Sequence, residues 1–511
     1  MLAAWRRRGE RSSLGRRHRN GIATATAALT LLALAPLAYF APSAAADVPS
    51  VLPPVQQRTS TGVTADALPT AQMNGVAWSQ AIAGNNVWVG GSFSAARPAG
   101  SPLGSNEVTR NNLLVYNINT GALVSSIAPS FNAQVKVVTV SPDGSRVYVG
   151  GQFTSVNGVT RNRIAAFDAS TGALINSFAP SVDSVVNAIV ATNATVYVGG
   201  AFSKSSSVAR TRLAAFTAGT GALLSWNPTA DDGVQSMVLT PDGSKMIVAG
   251  AFNSIGGATY HGLAALDPAT GAPLPWAATN VVQDSSPGAV VSSLSTDGTF
   301  IYGTAWAYGS PSATLEGSFS ADPDSGAINW IENCWGDEYD IFAMNGVAYN
   351  AGHMHACYTL GGWHDTNPRT IRHSLAFTSQ PGGTLGHDNE GNPDSSTTDF
   401  YGQPAPSIVD WFPDFTAGTY TGQSQATWTV TGNGQYLVEG GEFPKVNNQA
   451  QQGLVRFAVP SIAPKKQGPQ LSGASWAASG VARSSTSVRL SWQSNWDRDD
   501  LNLAYSVIRD G

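Results

Sequence analysis

Short apolar segments alternate with turn-forming clusters of Gly, Pro, Asp and Ser along most of the chain. One sequence motif, an apolar run that ends on glycine, recurs at Val87–Gly91, Val147–Gly151, Val196–Gly200, Met246–Gly250, Phe300–Gly303, Val347–Gly352 and Leu437–Gly441. The first six copies end 49 to 60 residues apart, and the last interval is 89 residues. A period near fifty residues is typical of propeller blades and exceeds that of most helical repeats.

Each repeat has the pattern of four short strands. In the fourth repeat we predict strands at Val234–Thr240, Lys245–Gly250, Leu263–Asp267 and Leu274–Ala277, separated by turn sequences such as Pro241-Asp242-Gly243. Such a unit is antiparallel, and no segment after residue 46 has helical periodicity. The sequence therefore predicts an all-β chain with a β-propeller of about seven blades at residues 51–460. An open β-solenoid is the alternative, although its repeats are usually shorter.

The Gly-Gly pairs, the seventh repeat and the long last interval each predict a further structural feature. The Gly-Gly pair that ends the second strand would let neighbouring blades approach closely near a central channel. The seventh repeat lacks a clear fourth strand, so we expect Val51–Leu68 to return and complete that blade. The long last interval predicts a third strand at Arg372–Phe377 followed by a polar insertion, about Thr378–Pro406, on one face.

Gly150–Gly158, followed by Arg163–Asp168, resembles the delta-60 type β-propeller repeat of secreted bacterial proteins. Gly199–Phe202 and Gly440–Phe443 repeat the match, whereas the fifth and sixth copies depart from it. The whole is similar to actinobacterial extracellular proteins that join such a propeller to fibronectin-like, PKD or lectin-like modules. The resemblance implies fold and location, and it implies no catalytic residues.

The N-terminus has the three parts of a secretory signal: a segment rich in arginine, an apolar stretch at Ile22–Phe40 and the small residues Ala44–Ala46. We expect residues 1–46 to be a signal peptide and the mature protein to be secreted or displayed at the cell surface. A retained anchor is the alternative, which Pro36 and Pro42 disfavour. The choice between Sec and twin-arginine export stays open.

Charge narrows the range of partners. The formal net charge is −5, and removing residues 1–46, with their seven arginines and one glutamate, leaves −11. An acidic chain without a basic stripe disfavours nucleic acid and anionic lipid as partners. No later apolar run is long enough to cross a bilayer. We expect a monomer whose partner is an extracellular glycan or protein.

The C-terminal part has a different pattern. Residues 461–472 have the composition of a linker. Ser487–Gln493 and Leu503–Gly511 alternate like strands, and with Trp492 and Tyr505 they resemble the first half of a fibronectin type III domain. Such a sandwich needs about seven strands and about 100 residues, so residues 473–511 are interpreted as an incomplete domain of a longer protein.

Cysteines and histidines concentrate in the fifth and sixth repeats. The two cysteines of an exported protein are expected to form a disulfide, Cys334–Cys357. If His353, His355 and Cys357 lay on one strand, their side chains would share a face and could hold zinc or copper. We favour the disulfide and predict no metal ligands in this set.

Candidate binding residues lie in the same region. Asp337, Glu338 and Asp340 follow Trp335, and paired carboxylates serve glycoside hydrolases, but adjacent acids in a turn are usually solvated. Trp363, beside His364, is the tryptophan that we expect to be most exposed and able to stack on a sugar ring. The candidate binding set is Trp335, Asp337, Glu338, His353, His355, Trp363 and His364, and no catalytic residue is predicted.

No cofactor is predicted, although calcium is possible at two segments rich in oxygen ligands. These are His387–Asp394 and Asn495–Asp500. Neither has EF-hand spacing, and such clusters are ordinary turn formers.

Three functions remain. The first is extracellular binding or adhesion to a glycan or protein, with the divergent repeats as the functional face. The second is a secreted carbohydrate-active hydrolase that uses carboxylates near residues 337–340. The third is a structural module of a larger surface protein. No nucleophile elbow, P-loop or dinucleotide fingerprint is present, so we lean away from an enzyme.

Overall fold

A computed structural model describes residues 62–308, 310, 313–388, 398–464 and 466–508. The predicted signal peptide and residues 51–61 lie outside this range. Within it, regular structure is almost entirely antiparallel strand, with three short 3-10 helices at Ala277–Asn280, Tyr358–Leu360 and Gly473–Trp476. No helix among these residues is long and apolar enough to cross a membrane.

Seven sheets of three or four strands follow one another along the chain, and we number them 1 to 7. Sheets 1 to 3 consist of Val76–Ala83, Asn86–Ser92 and Leu113–Asn117; Val135–Val140, Arg146–Gly151 and Ile164–Asp168; and Val186–Ala191, Thr195–Gly200 and Leu213–Thr217. Sheets 4 and 5 consist of Val234–Leu239, Met246–Gly250, Leu263–Leu266 and Pro273–Leu274; and Ala289–Thr296, Ile301–Ala307, Gly317–Ala321 and Ile328–Glu332. Sheets 6 and 7 consist of Glu338–Met344, Val347–Met354, Arg372–Thr384 and Pro404–Ile408; and Thr427–Gly432, Tyr436–Gly441 and Leu454–Ala458.

Six smaller sheets lie in the loops or in the C-terminal part. They comprise Gln72–Met73 with Ala95–Arg97 and Val108–Thr109, Ser155–Val156 with Val159–Thr160, Lys204–Ser205 with Val208–Ala209, Ser254–Ile255 with Ala258–Thr259, Lys445–Val446 with Gln449–Ala450, and Ser479–Ser484 with Ser487–Ser491. The predicted strands of the fourth repeat agree with sheet 4 to within a few residues.

The hydrophobic core lies between neighbouring sheets rather than inside each one. One cluster, for example, joins Trp88 and Val115 of sheet 1 to Val135, Val147 and Phe167 of sheet 2, and all five are fully buried. A single sheet is apolar on both faces, so it buries its surface only by packing against the sheet on either side.

The expected role of the Gly-Gly pairs is visible in the packing. A Cβ added at Gly90 would lie 2.3 Å from Val135 Cγ1 of sheet 2, and one at Gly150 would lie 2.6 Å from Val186 Cγ1 of sheet 3. A Cβ at Gly440 of sheet 7 would lie 2.9 Å from the Cβ of Ala77 in sheet 1. The first glycine of each pair therefore permits close approach of successive sheets, including sheet 7 to sheet 1.

The first strand of each sheet contacts the first strand of the next, and the first strand of sheet 7 contacts that of sheet 1. The segment before sheet 1 runs along the outer strand of sheet 7: Thr64 N donates to Ala458 O and Leu68 N to Arg456 O, each at 2.9 Å. The described part of the predicted returning segment thus pairs with sheet 7, as expected.

Arg456 strengthens this junction from a buried position. Its guanidinium donates to Thr70 Oγ1 at 3.3 Å, to Pro69 O at 2.6 Å and to Ile118 O. One side chain of sheet 7 thus holds both the returning segment and the end of sheet 1.

The predicted insertion lies in sheet 6. The third strand extends beyond the predicted Phe377 to Thr384 and pairs with Pro404–Ile408. Residues 389–397 of the insertion lie outside the described range.

In the C-terminal part, Ser479–Ser484 and Ser487–Ser491 pair as a hairpin whose residues are all exposed. The strand expected from Leu503 onwards is absent among the described residues, which have no regular structure from 502 to 508. A strand needs a hydrogen-bonded neighbour, and none of the described segments supplies one there.

Candidate functional site

Every first strand of the seven sheets contains a β-bulge near its N-terminal end. The residue before the bulge pairs with the final glycine of the second strand, or with Ala305 in sheet 5, and the bulged residue has no partner in the ladder. A bulge leaves one extra residue unpaired and turns its side chain out of the regular register. We call the seven bulged residues the bulge ring: Trp78, Lys136, Asn187, Gln235, Ser292, Tyr339 and Trp428.

Three aromatic members of the bulge ring are in contact, and we call them the aromatic arc. Tyr339 of sheet 6 stacks on Trp428 of sheet 7, with ring centroids 4.2 Å apart and planes 27° from parallel. Trp428 meets Trp78 of sheet 1 edge to face, at 5.1 Å. All three side chains are partly exposed, although the flanking residues of their strands are mostly buried. The arc therefore forms a run of aromatic rings along the first strands of sheets 6, 7 and 1.

Hydrogen bonds fix the two indoles of the arc. Trp78 Nε1 donates to Gln134 Oε1 at 2.9 Å, and Trp428 Nε1 donates to Glu442 Oε1 at 3.1 Å. Glu442 is itself held by Thr421, whose backbone N donates to Oε2 at 2.8 Å. These bonds hold both indole rings in fixed orientations.

Lys136 continues the arc on sheet 2. Its Nζ lies 3.7 Å from the centroid of the Trp78 ring, a cation–π contact. Burial lowers the pKa of Lys136 to about 8. None of the described residues places a carboxylate within ion-pair distance of this ammonium.

The opposite half of the bulge ring is polar. Asn187 Nδ2 donates to Val234 O of the next sheet at 3.1 Å, and Ser292 Oγ donates to Glu338 O of the next sheet at 2.5 Å. These two residues link sheets, whereas Gln235 is exposed.

Two of the candidate binding residues flank the arc. Tyr339 Oη donates to Asp337 Oδ2 at 3.1 Å, and the His353 ring lies 6.4 Å from that of Tyr339. His353 Nδ1 is 2.8 Å from Gln425 Nε2. Burial, together with the nearby charge of Asp337, raises the pKa of Tyr339 well above its ordinary value. Asp337 and His353 therefore lie beside Tyr339, at one end of the arc.

Glu338 lies in the interior instead. It and Glu332 are fully buried, and Asn350 Nδ2 donates to Glu338 Oε2 at 2.5 Å. Ser318 Oγ donates to Glu332 Oε2 at 2.7 Å. Burial raises the pKa of both carboxyls, and the negative charge of Glu332 raises that of Glu338 further. This carboxyl pair belongs to the packing between sheets 5 and 6.

Asp340 joins three sheets. Its Oδ1 accepts from Ser293 Oγ of sheet 5 at 2.7 Å, and its Oδ2 accepts from Val430 N of sheet 7 at 2.9 Å. Of the three acidic residues singled out in the sequence, Asp337 thus lies beside the arc, while Glu338 and Asp340 have structural partners.

The remaining candidates form a separate cluster. Trp335 is buried and meets Tyr358 edge to face at 5.4 Å, and His364 stacks on Tyr358 at 5.2 Å. His355 is buried, with Nδ1 3.4 Å from an oxygen of Asp365. The strand that was expected to align His353, His355 and Cys357 ends at Met354, so these residues do not share a strand face.

Cys334 and Cys357 form the expected disulfide, with sulfurs 2.03 Å apart. No thiolate is therefore offered to a metal at this position. Trp363 packs beside the disulfide, 6.1 Å from Phe412 and under the guanidinium of Arg372, and is partly buried rather than prominently exposed.

In Asn495–Asp500, one of the two segments considered for calcium, the acidic side chains lie close together. Asp497, Asp499 and Asp500 place carboxylate oxygens within 4.8 Å of one another, beside a cavity of about 350 Å³ that Asp410 and Tyr505 also line. Carboxylates cluster in many proteins without an ion, and we assign none here. Most of His387–Asp394 lies outside the described residues.

Sequence reasoning missed the aromatic arc and Lys136. Aligning the repeats on their closing glycines would have found them, because each bulged residue stands 13 or 15 positions before the last glycine of its repeat in sheets 1 to 4, 6 and 7. That column holds Trp, Lys, Asn, Gln, Tyr and Trp, which are unusual within apolar strands.

One family model agrees with the architecture at a coarse level. Residues 113–231, from the third strand of sheet 1 to just before sheet 4, match the family model of the Rax2 C-terminal beta propeller domain. No curated protein matches the chain. Among solved structures, the computationally designed Ika8 protein is similar at 10% identity and a TM-score of 0.41, over 78% of this chain and 100% of that one. The chain thus contains a β-propeller domain, and its strands and family match agree on this.

Proposed function

We propose that this protein is a secreted, seven-bladed β-propeller of the delta-60 repeat type that binds an extracellular glycan on the aromatic arc. In this proposal each of the seven sheets is a blade, and the bulged residues would lie around one end of a central channel. The observation that supports the proposal most strongly is the contact of Tyr339, Trp428 and Trp78, three part-exposed rings from three different sheets.

Aromatic faces of this kind suit a sugar. The C–H face of a pyranose is apolar and packs on an aromatic ring, while its hydroxyls need polar partners at the edge. Asp337 accepts hydrogen bonds, and His353 can donate or accept them. Because Gln134 and Glu442 already hold the two indoles, binding would order few additional side chains.

The hydrolase alternative has less support. Glycoside hydrolysis ordinarily needs two carboxyl groups that flank the scissile bond. Glu338 is fully buried with Glu332, and Asp340 bonds to Ser293 and Val430, which leaves Asp337 beside the arc. A purely structural module would have no need of three part-exposed aromatic rings in contact across three sheets.

The test is a glycan array with the secreted protein, followed by calorimetry on the best ligand. We expect Trp428→Ala to weaken binding at least tenfold, about 1.4 kcal/mol, because it removes the central ring of the arc. Trp492→Ala, which removes an exposed tryptophan outside the propeller, is the matched control and should leave affinity unchanged.

Melting midpoints recorded beside each affinity separate loss of the arc from loss of the fold. Equal affinities for wild type and Trp428→Ala would contradict the site, and an empty array would contradict glycan binding. Hydrolysis of a bound glycan that Asp337→Asn abolishes would favour the hydrolase instead.

A further inference from the structure

Lys136 adds a charge to one end of the aromatic arc. Its Nζ lies over Trp78, 3.7 Å from the ring centroid, so the ammonium shares the surface that the arc presents. Among the described residues it has no carboxylate partner within ion-pair distance. Charged groups that are partly buried are usually paired, because desolvation penalises an isolated charge.

The other end of the arc is negatively charged. Asp337, Glu316 and Glu442 all act on Tyr339, where their negative charges add to burial in raising its pKa. A molecule lying along the arc would therefore meet Asp337 beside Tyr339, with the buried Glu316 and Glu442 behind it, and an ammonium beside Trp78. This polarity would orient a ligand that itself carries charge at one end.

Resting on the proposed glycan site, we infer that the ligand is an anionic saccharide whose carboxylate or sulfate group pairs with Lys136. The sugar ring stacks on Trp78 and Trp428, and the uncharged hydroxyls lie toward Asp337. An anion at the opposite end would meet Asp337 and the negative charges of Glu316 and Glu442 behind it, so the charges favour one orientation.

The net charge of the chain requires that any preference for an anionic sugar come from short-range contacts. The mature chain is acidic, with a formal net charge of −11 once the segment of seven arginines and one glutamate is removed from the −5 of the whole. Its long-range field repels anions, so preference for an anionic sugar must come from short-range pairing. A lone, desolvated cation supplies such pairing, and the low pKa of about 8 agrees with an ammonium that has no anionic neighbour in the free protein.

Calorimetry on matched sugars tests the inference. The first pair is trigalacturonate and its methyl ester, which differ in the carboxylate charge; the second is a sulfated carrageenan oligosaccharide and its desulfated form. We expect wild type to prefer the charged member of at least one pair by tenfold or more at low ionic strength. The pair that shows the preference identifies carboxylate or sulfate as the anion.

Variants at Lys136 separate charge from packing. Lys136→Met keeps an apolar stem on Trp78 and should reduce the preference to less than twofold while uncharged sugars still bind. Lys136→Arg should retain the preference, and Lys445→Met, on the exposed hairpin beside sheet 7, should leave it unchanged.

Equal affinity of wild type for both members of both pairs would overturn the anionic specificity and leave glycan binding intact. A preference that survives in Lys136→Met would overturn the role of this lysine. Failure of every saccharide to bind would contradict both the inference and the proposed function.

Discussion

Substituting the first glycine of a Gly-Gly pair tests how closely the sheets pack. At Gly90, an added Cβ would lie 2.3 Å from Val135 Cγ1 and 2.9 Å from Val138 Cγ2, both in sheet 2. Carbon atoms in favourable contact are about 3.5–4.0 Å apart, so the overlap with Val135 exceeds 1 Å. Val135 is fully buried and β-branched, which leaves it little freedom to move aside.

We expect Gly90→Ala to lower the free energy of unfolding by about 1–3 kcal/mol, the usual cost of overpacking a tight core. The measurement is the midpoint and slope of urea denaturation followed by tryptophan fluorescence. Gly219→Ala is the control, because an added Cβ there meets no atom within 4 Å and the residue is outside the left-handed region. That variant should be as stable as wild type or slightly more stable.

A double-mutant cycle identifies the clash. Val135→Ala alone should destabilise by about 1.5–3 kcal/mol through lost burial. In the double variant with Gly90→Ala, the smaller side chain makes room for the new methyl group, so the combined loss should fall short of the sum by about 0.5–3 kcal/mol. Additive losses, or a Gly90→Ala protein within 0.5 kcal/mol of wild type, would refute the close-approach explanation.

Three further outcomes are expected. Arg456→Met should cost about 1–3 kcal/mol for each carbonyl left without its donor, and limited proteolysis should then cleave before sheet 1 faster than in wild type; unchanged cleavage would contradict the role of this residue at the junction. Burial raises the pKa of Glu439 from 4.5 to about 8, so the folded state keeps a proton that the unfolded state loses; its contribution to stability is complete below about pH 4.5 and declines as the pH rises toward 8. Glu439→Gln should remove this decline, gaining on wild type by about 1.4 kcal/mol per pH unit in that window, and parallel pH profiles of the two proteins would argue against it. Reduction of Cys334–Cys357, which are 23 residues apart, should lower stability by about 3 kcal/mol, measured as denaturation midpoints with and without reductant, with the Cys334→Ala/Cys357→Ala double variant as a reductant-insensitive control.

The strands and hairpins of each repeat could be predicted from the sequence because they depend on residues close together in the chain. Alternating apolar segments, Asp-Gly and Thr-Gly turns and a period near fifty residues specify strands and hairpins within each unit, independent of the rest of the chain. The pairing of residues before sheet 1 with sheet 7 followed from counting strands, since a sheet short of one strand exposes an edge. The disulfide followed from the number of cysteines and the expected oxidising compartment.

The aromatic arc and the roles of the nearby carboxylates could not be predicted in this way. Asp337, Glu338 and Asp340 look alike in sequence, yet one lies beside the arc, one is buried against Glu332 and one joins sheets 5 and 7. A one-residue bulge changes which side chains face the next sheet, and only the hydrogen-bonded partner strand sets its position. Tyr339, Trp428 and Trp78 are far apart in the chain and meet only because sheet 7 packs against both sheet 6 and sheet 1.

The sequence by itself therefore determined the repeating unit, its approximate number, the cysteine pair and the acidic character of the chain. The tertiary structure alone decided which residues form the aromatic arc and which carboxylates are buried. The physical reason is that turn and strand preferences act over a few residues, whereas burial and register depend on neighbouring sheets that the chain supplies tens to hundreds of residues away.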